Sequence, residues 1–310
     1  MLDLLVTPRF LLAELPSFTR LGYAVRRLGW RDTPWNFGGQ RWLVTGASTG
    51  IGREVARTAA RGGATVIAVA RSQARLESLA ADCGQYPGRI VPVAADLSLV
   101  GENRRLAGVA ASNGPIDVLV NNVGVLLDEP ATTPEGLDLA FATNLLGPFV
   151  LTEALLAHEA LRAGGCIVNV SSGGMYAVPL DVKALGRQDA YDGVRAYAHH
   201  KRAQVALTEA WRARLGPARD VYVMHPGWVE TPGVERSLPT FRRWLGPWLR
   251  DAAGGADTIL WLAAERPRQR ADAGIWFDRC LRPAHVWSGS LHGDSTAALL
   301  EYLHATEAQR

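Results

Sequence analysis

The chain predicts an α/β fold, a doubly wound parallel sheet of about seven strands in a single domain with an N-terminal helical extension. Three observations carry this. Apolar runs of strand length recur at about 41–46, 64–70, 89–94, 116–121, 164–171, 219–225 and 273–277, and the segments between them have the length and period of helices. The first run, Trp42-Leu43-Val44, is short and continuously apolar, as a parallel strand covered on both faces should be. Glycines Gly46, Gly50 and Gly52 follow it at once, with Val55 and Ala59 opening a helical period behind them. In such a sheet, ligands sit beyond the carboxyl ends of the strands, so chemistry is sought just after each run.

Bulk properties narrow the classes. At 310 residues and 48% apolar the chain can bury a sizeable core, and a net charge of +3 is too small a bias to argue for nucleic acid. Cys83, Cys166 and Cys280 are odd in number and form no C-x-x-C pair, which points to a reducing, cytoplasmic setting and no metal site. Of 33 basic residues only Lys183 and Lys201 are lysines. Where arginine serves every generic need for charge, a lysine is a candidate for chemistry that a guanidinium cannot perform.

Residues 1–40 precede the first strand. Asp3, Pro8, Glu14 and Pro16 break the early apolar residues, so no secretory or membrane-spanning segment fits. Ser17 reads as an N-cap, and Phe18, Leu21, Val25 and Leu28 form a helical stripe with Arg20, Arg26, Arg27 and Arg31 mostly off it. A peripheral membrane contact through 17–31 is the sharper reading; a helix packed on its own domain is the favoured one, because five arginines against three acids is a weak excess.

The strand, glycine turn and helix start at 41–53 are the geometry that sets bare N–H groups and a positive helix end against a pyrophosphate. Gly46 permits the tight turn, Gly50 the close approach of backbone to phosphate, and Gly52 the packing of helix on strand. After the second run, Ala70-Arg71-Ser72 stands where a site for NAD would place a carboxylate on the ribose; Arg71 suits a 2′-phosphate and favours NADP. Asp96 either accepts from the adenine amino group or caps the next helix at Ser98. Asn121 and Asn122 end the fourth run, where amides can tie strand ends together beside a cofactor. Asn144 lies mid-helix, where it is a poor choice on propensity, and by itself reads as structural. Ser171-Ser172 end the fifth run. Tyr197 and Lys201 are four apart and share a helix face, so the ammonium is expected to pull the phenol's pKa from about 10 toward neutrality. The sixth run leads into Pro226-Gly227-Trp228-Val229-Glu230-Thr231-Pro232, and residues 227–250, with Phe241, Trp244 and Trp248, read as a helical substrate flap.

Taken together and in order, TGASTGIG, NNVG, Asn144, Ser172, Tyr197-x-x-x-Lys201 and PGWVET resemble the short-chain dehydrogenase/reductase superfamily over about residues 41–278. VSSGGMY, YAHHKRAQVALTE, MHPGWVETPGV and GGADTILWLA resemble its dehydrogenase/reductase member-twelve branch, which is retinol-dehydrogenase-like, over nearly the whole chain. The resemblance implies a Rossmann-type domain at 41–310. It implies Tyr197 as the proton donor and acceptor, Lys201 on the nicotinamide ribose, Ser172 on the substrate oxygen and Asn144 as anchor of a proton-relay water. For the cofactor it implies Thr45, Gly46, Ser48, Thr49, Gly50, Ile51, Gly52, Arg71, Asp96, Leu97, Asn122, Gly124, Tyr197, Lys201, Pro226, Gly227, Val229 and Thr231, with Thr231 on the carboxamide. Val123 departs from the family's usual alanine, and the long gap from Ser172 to Tyr197 implies that Tyr176 and Tyr191 help form the substrate pocket. Homo-oligomers pairing through helices near 133–162 and 195–215 are a further implication.

The expected function is an NADP(H)-preferring oxidoreductase, with NAD(H) second, acting on a small-molecule alcohol/carbonyl pair. Trp228, Trp244 and Trp248 suggest a lipophilic substrate. A non-catalytic NADP(H) sensor or scaffold is the alternative; an intact Ser172, Tyr197 and Lys201 set speaks against it. Arg71 disfavours an epimerase or dehydratase on the same fold.

Overall fold

Alternate residues of each strand are apolar on opposite faces, and the sheet therefore collects two layers of helices. In the computed structural model, which describes residues 16–31, 34–186, 191–231, 243, 245–268 and 274–310, eight strands form one sheet in the order β3-β2-β1-β4-β5-β6-β7-β8. The strands are β1 (Arg41–Thr45), β2 (Thr65–Ala70), β3 (Arg89–Ala94), β4 (Ile116–Asn121), β5 (Leu161–Val170), β6 (Asp220–Met224), β7 (Ile275–Phe277) and β8 (Cys280–Arg282). The first seven pair in parallel; β8 turns back antiparallel on β7.

The helices are α1 (Arg20–Arg27), α2 (Gly50–Arg61), α3 (Gln73–Asp82), α4 (Val100–Ser112), α5 (Leu139–Ala157), α6 (Gly193–Leu215), α7 (Ala252–Glu265) and α8 (Thr296–Ala308). Strand β1 shows the layering. Leu43 packs with α4, α5 and α6 on one face, through Leu106, Phe149 and Leu207. Trp42 and Val44 pack with α2, α3 and α7 on the other, through Val55, Leu79 and Ile259. Among the described residues, α5 is the one helix long and apolar enough to cross a membrane; most of it is buried in the core.

A third apolar cluster closes the far edge and joins the residues just ahead of α1 to it. Phe18 packs there with Met175, Tyr176, Val223 and Phe277. The α1 N-cap is Thr19, whose side chain accepts from Gly22 N. Ser17, expected to be the cap, is buried instead, and its hydroxyl accepts from Arg26. The expected stripe also divides. Phe18 is buried while Leu21, Val25 and Leu28 face solvent, because α1 docks through Arg26 on Asp278 rather than through its apolar side. Residues 232–242 and 244, which make up half of the expected flap and include Phe241 and Trp244, lie outside the described residues.

Candidate active site

The strand order reverses between β1 and β4, and there the carboxyl ends of the parallel strands open into a cleft of about 680 Å³. Its floor is the glycine turn. Gly46 has φ +67°, a left-handed value that costs glycine nothing, and a Cβ there would lie 2.9 Å from Asn122 Nδ2. At Gly52 a Cβ would lie 2.4 Å from the Gly46 carbonyl oxygen, so only glycine lets α2 sit this close to β1. The α2 N-cap, Thr49, makes no side-chain cap bond, which leaves the first N–H groups of the helix to a ligand. Ser48, Thr49, Gly50 and Ile51 line the cleft beside it. Thr45 is buried beneath. Its hydroxyl accepts from Asn122 N (2.9 Å) and Val123 N (3.0 Å), and its carbonyl takes the Asn122 amide (2.9 Å), so Thr45 shapes the floor without lining it.

Arg71, Ser72 and Arg75 line the rim at the end of β2. Ser72 caps α3, its hydroxyl accepting from Arg75 N, which brings both guanidiniums and a positive helix end to one spot. Arg75 was not expected from the sequence; the signal was a capping serine with an arginine three residues on. Asp96 and Leu97 line the cleft after β3. The Asp96 carboxylate accepts from Ser98 N (3.0 Å) and its hydroxyl (2.8 Å), but α4 starts later and Glu135 takes its first N–H groups.

Helix α6 carries Tyr197 and Lys201 to the opposite wall. Lys201 Nζ stands 5.4 Å from the Tyr197 ring centroid and donates to Val170 O (2.9 Å) and Gln204 Oε1 (3.2 Å). The Ser171 hydroxyl donates to Lys201 O (2.9 Å) and pins the end of β5 to the helix. The Ser172 hydroxyl, which accepts from Gly174 N (3.3 Å), favours ionisation of the Tyr197 phenol. Burial outweighs that effect: it pushes the phenol up to about 12 and the Lys201 ammonium down to about 7. The expected drop of the phenol toward neutrality is therefore absent in the protein alone. The ammonium is itself desolvated and spends its donors on main-chain and amide oxygens.

Asn144 lies in a π turn, Ala142–Leu146, inside α5. It is fully buried, with Oδ1 accepting from Val125 N and Nδ2 donating to Val125 O, both at 2.7 Å. It thereby holds the segment Val123-Gly124-Val125 against Lys201; a Cβ on Gly124 would lie 3.4 Å from Lys201 Nζ. Pro226 and Thr231 line the cleft from the β6 side. Gly227 and Val229 do not line it: Gly227 lies against Arg250, and Val229 is buried against Gly255. Trp228 packs edge-on against Phe18, and Trp248 is largely exposed. Tyr176 and Tyr191 also stay off the lining, bonding Pro283 O and Leu127 O with their hydroxyls. Val125, Leu126, Leu127 and Leu139 supply the apolar wall instead. Their part was not read from the sequence, since nothing local marks which leucines face a cleft.

Comparison with known proteins follows the same outline. A family model described as short chain dehydrogenase matches residues 40–240. The chain is 39% identical over 252 residues to dehydrogenase/reductase SDR family member 12 of Bos taurus, covering 80% of this chain and 79% of that one. It is 32% identical over 246 residues to retinol dehydrogenase 12 of Homo sapiens, covering 77% and 78%. Among solved structures, a short chain dehydrogenase from Burkholderia cenocepacia J2315 in complex with NADP aligns with TM-score 0.61 at 25% identity, over 74% of this chain and 92% of that one.

Proposed function

The chain belongs to the short-chain dehydrogenase/reductase family, and from that premise we propose that this oxidoreductase prefers NADP(H) and interconverts a lipophilic alcohol and its carbonyl compound. One observation carries the preference. At the end of β2 the cleft presents Arg71, Ser72 and Arg75, and no carboxylate where a 2′-hydroxyl would be held. The uncapped start of α2 and the glycine turn fit the pyrophosphate. The wall of Val125, Leu126, Leu127 and Leu139 beside Lys201 supports an apolar substrate.

When bound, the nicotinamide gives or takes the hydride. The chain's residues manage the proton and the orientation. Tyr197, with its pKa near 12, holds its proton at neutral pH and so acts as the acid at the substrate oxygen in the reductive direction. Ser172, which favours ionisation of that phenol, would align the same oxygen. Lys201, with two donors on Val170 O and Gln204 Oε1, has one left that would hold the nicotinamide ribose. The exposed Leu21, Val25 and Leu28, with Arg20 and Arg27 beside them, support a peripheral contact with an anionic bilayer.

NADPH and NADH titrations of two variants test the reading. Arg71→Glu is expected to weaken NADPH more than tenfold, the scale of a lost charge-assisted bidentate contact, and to spare NADH. Equal loss for both would refute the phosphate assignment. Tyr197→Phe is expected to keep cofactor affinity and lose about 10²–10⁴ in turnover.

A further inference from the structure

We propose that Gln204 is a positioning residue for the Tyr197–Lys201 pair, its carboxamide joining the Lys201 ammonium to the Asn144 main-chain carbonyl. Tyr197, Lys201, Gln204 and Thr208 stand at i, i+4, i+7 and i+11 of α6 and share the face turned to the site. Gln204 is buried, and its Nε2 donates to Asn144 O at 2.7 Å while its Oε1 accepts from Lys201 Nζ at 3.2 Å. Only one orientation of the amide works, because an ammonium can only donate and a carbonyl can only accept.

The partner carbonyl lacks the donor that a regular helix would give it. In a regular helix the Asn144 carbonyl would take the N–H of residue 148, and residue 148 is proline, which has none. The helix responds with the π turn, where Gly147 N reaches back to Ala142 O. Pro148 thus exposes an acceptor and Gln204 fills it. A second chain of bonds fixes Gln204 from below: Thr208 Oγ1 donates to Gln204 O (2.7 Å), Asn169 Nδ2 to Thr208 Oγ1 (2.9 Å) and Asn121 Nδ2 to Asn169 Oδ1 (2.9 Å). The carboxamide, held at both ends, settles where one of the three Lys201 protons goes, and Val170 O takes a second. The third is left to the cleft that Lys201 lines.

The inference rests on the reading of Tyr197 and Lys201 as the acid–base pair, yet it can be tested without turnover. The chain has only two lysines. Lys183 is exposed on a loop, so Lys183→Arg leaves a single lysine side-chain signal in protein labelled with ¹³C-lysine. The titratable neighbours of Lys201 are Tyr197 and His200 on its own helix; burial is what lowers it, and no carboxylate among the described residues counters that. In the cofactor-free protein, Gln204→Met removes the acceptor at similar volume and is expected to move the Lys201 titration down. Gln204→Glu places a carboxylate there and is expected to move it up. Each shift should be about half a pH unit or more. The pH limb of kcat should move in the same two directions, with NADPH affinity changing less than kcat. If Gln204→Met does not fold, the Glu variant decides alone. Titrations that coincide with the parent in the folded variants would reduce Gln204 to packing and overturn the proposal. Moved titrations in the variants, with no NADPH turnover by the parent, would count against the enzymatic reading and leave the Gln204 clamp standing.

Discussion

Two buried histidines show how this core treats charge. His225 follows β6, stacks on Phe277 at 4.2 Å and has no partner for Nδ1 among the described residues. Burial first, then Arg250, Arg26 and Arg282, push its pKa down to about 3, and burial holds His200 at about 4. Between about 6.5 and these values the unfolded chain binds protons that the folded chain refuses. Stability must therefore fall as pH drops through that window, by up to about 1.4 kcal/mol per pH unit for each group. His225→Phe keeps the stack and removes one such group. Urea unfolding at pH 7 and at pH 4.5 is expected to show a loss smaller by about 2 kcal/mol in the variant than in the parent. An unchanged loss would show that His225 takes up its proton in the folded state.

At the level of elements, the β7–β8 hairpin explains why an eighth strand escaped the sequence. Its turn residues, Asp278 and Arg279, both have left-handed φ (+49° and +58°), where hairpins ordinarily place glycine or asparagine. Tertiary bonds hold them there. Asp278 pairs with Arg250 at 2.6 Å, both groups almost wholly buried, and accepts from Arg26 at 2.7 Å; Arg279 pairs with Asp257 and lies over Trp30. Arg250 also donates to Phe18 O and Ser17 O, and Phe18 O in turn receives Trp228 N. The extension is thus bonded into the loop that follows β6. Asp278→Ala leaves Arg250 buried without its counter-ion and is expected to cost about 3–5 kcal/mol, with trypsin then cutting first at Arg26 or Arg27. Unaltered urea stability would mean that the main-chain carbonyls alone satisfy Arg250.

For the molecule as a whole, α1 carries an outward-facing apolar feature that the core of the described residues does not use. Leu21 (58% exposed), Val25 (60%) and Leu28 (87%) form an apolar ridge on α1. Flotation with vesicles containing phosphatidylserine is expected to carry the protein up, and the double change Leu21→Glu with Val25→Glu to cut that binding about tenfold or more. Equal binding by the double variant would assign any flotation to another surface.

The seven parallel strands, the glycine turn, and Tyr197 and Lys201 on one helix face were legible in the sequence, because each depends on short-range spacing. Asn144 was visible as an anomaly and gained meaning only beside Val125 and Gln204. The sequence by itself determined which residue types lie at the carboxyl ends of the strands, since period and glycine placement set the direction of the backbone locally. The tertiary structure alone decided which way the Tyr197 and Lys201 pKa values move, which tryptophans leave the cleft, and that the extension docks through its arginine. Those outcomes turn on desolvation and on partners far apart in sequence, and neither is encoded in any local window.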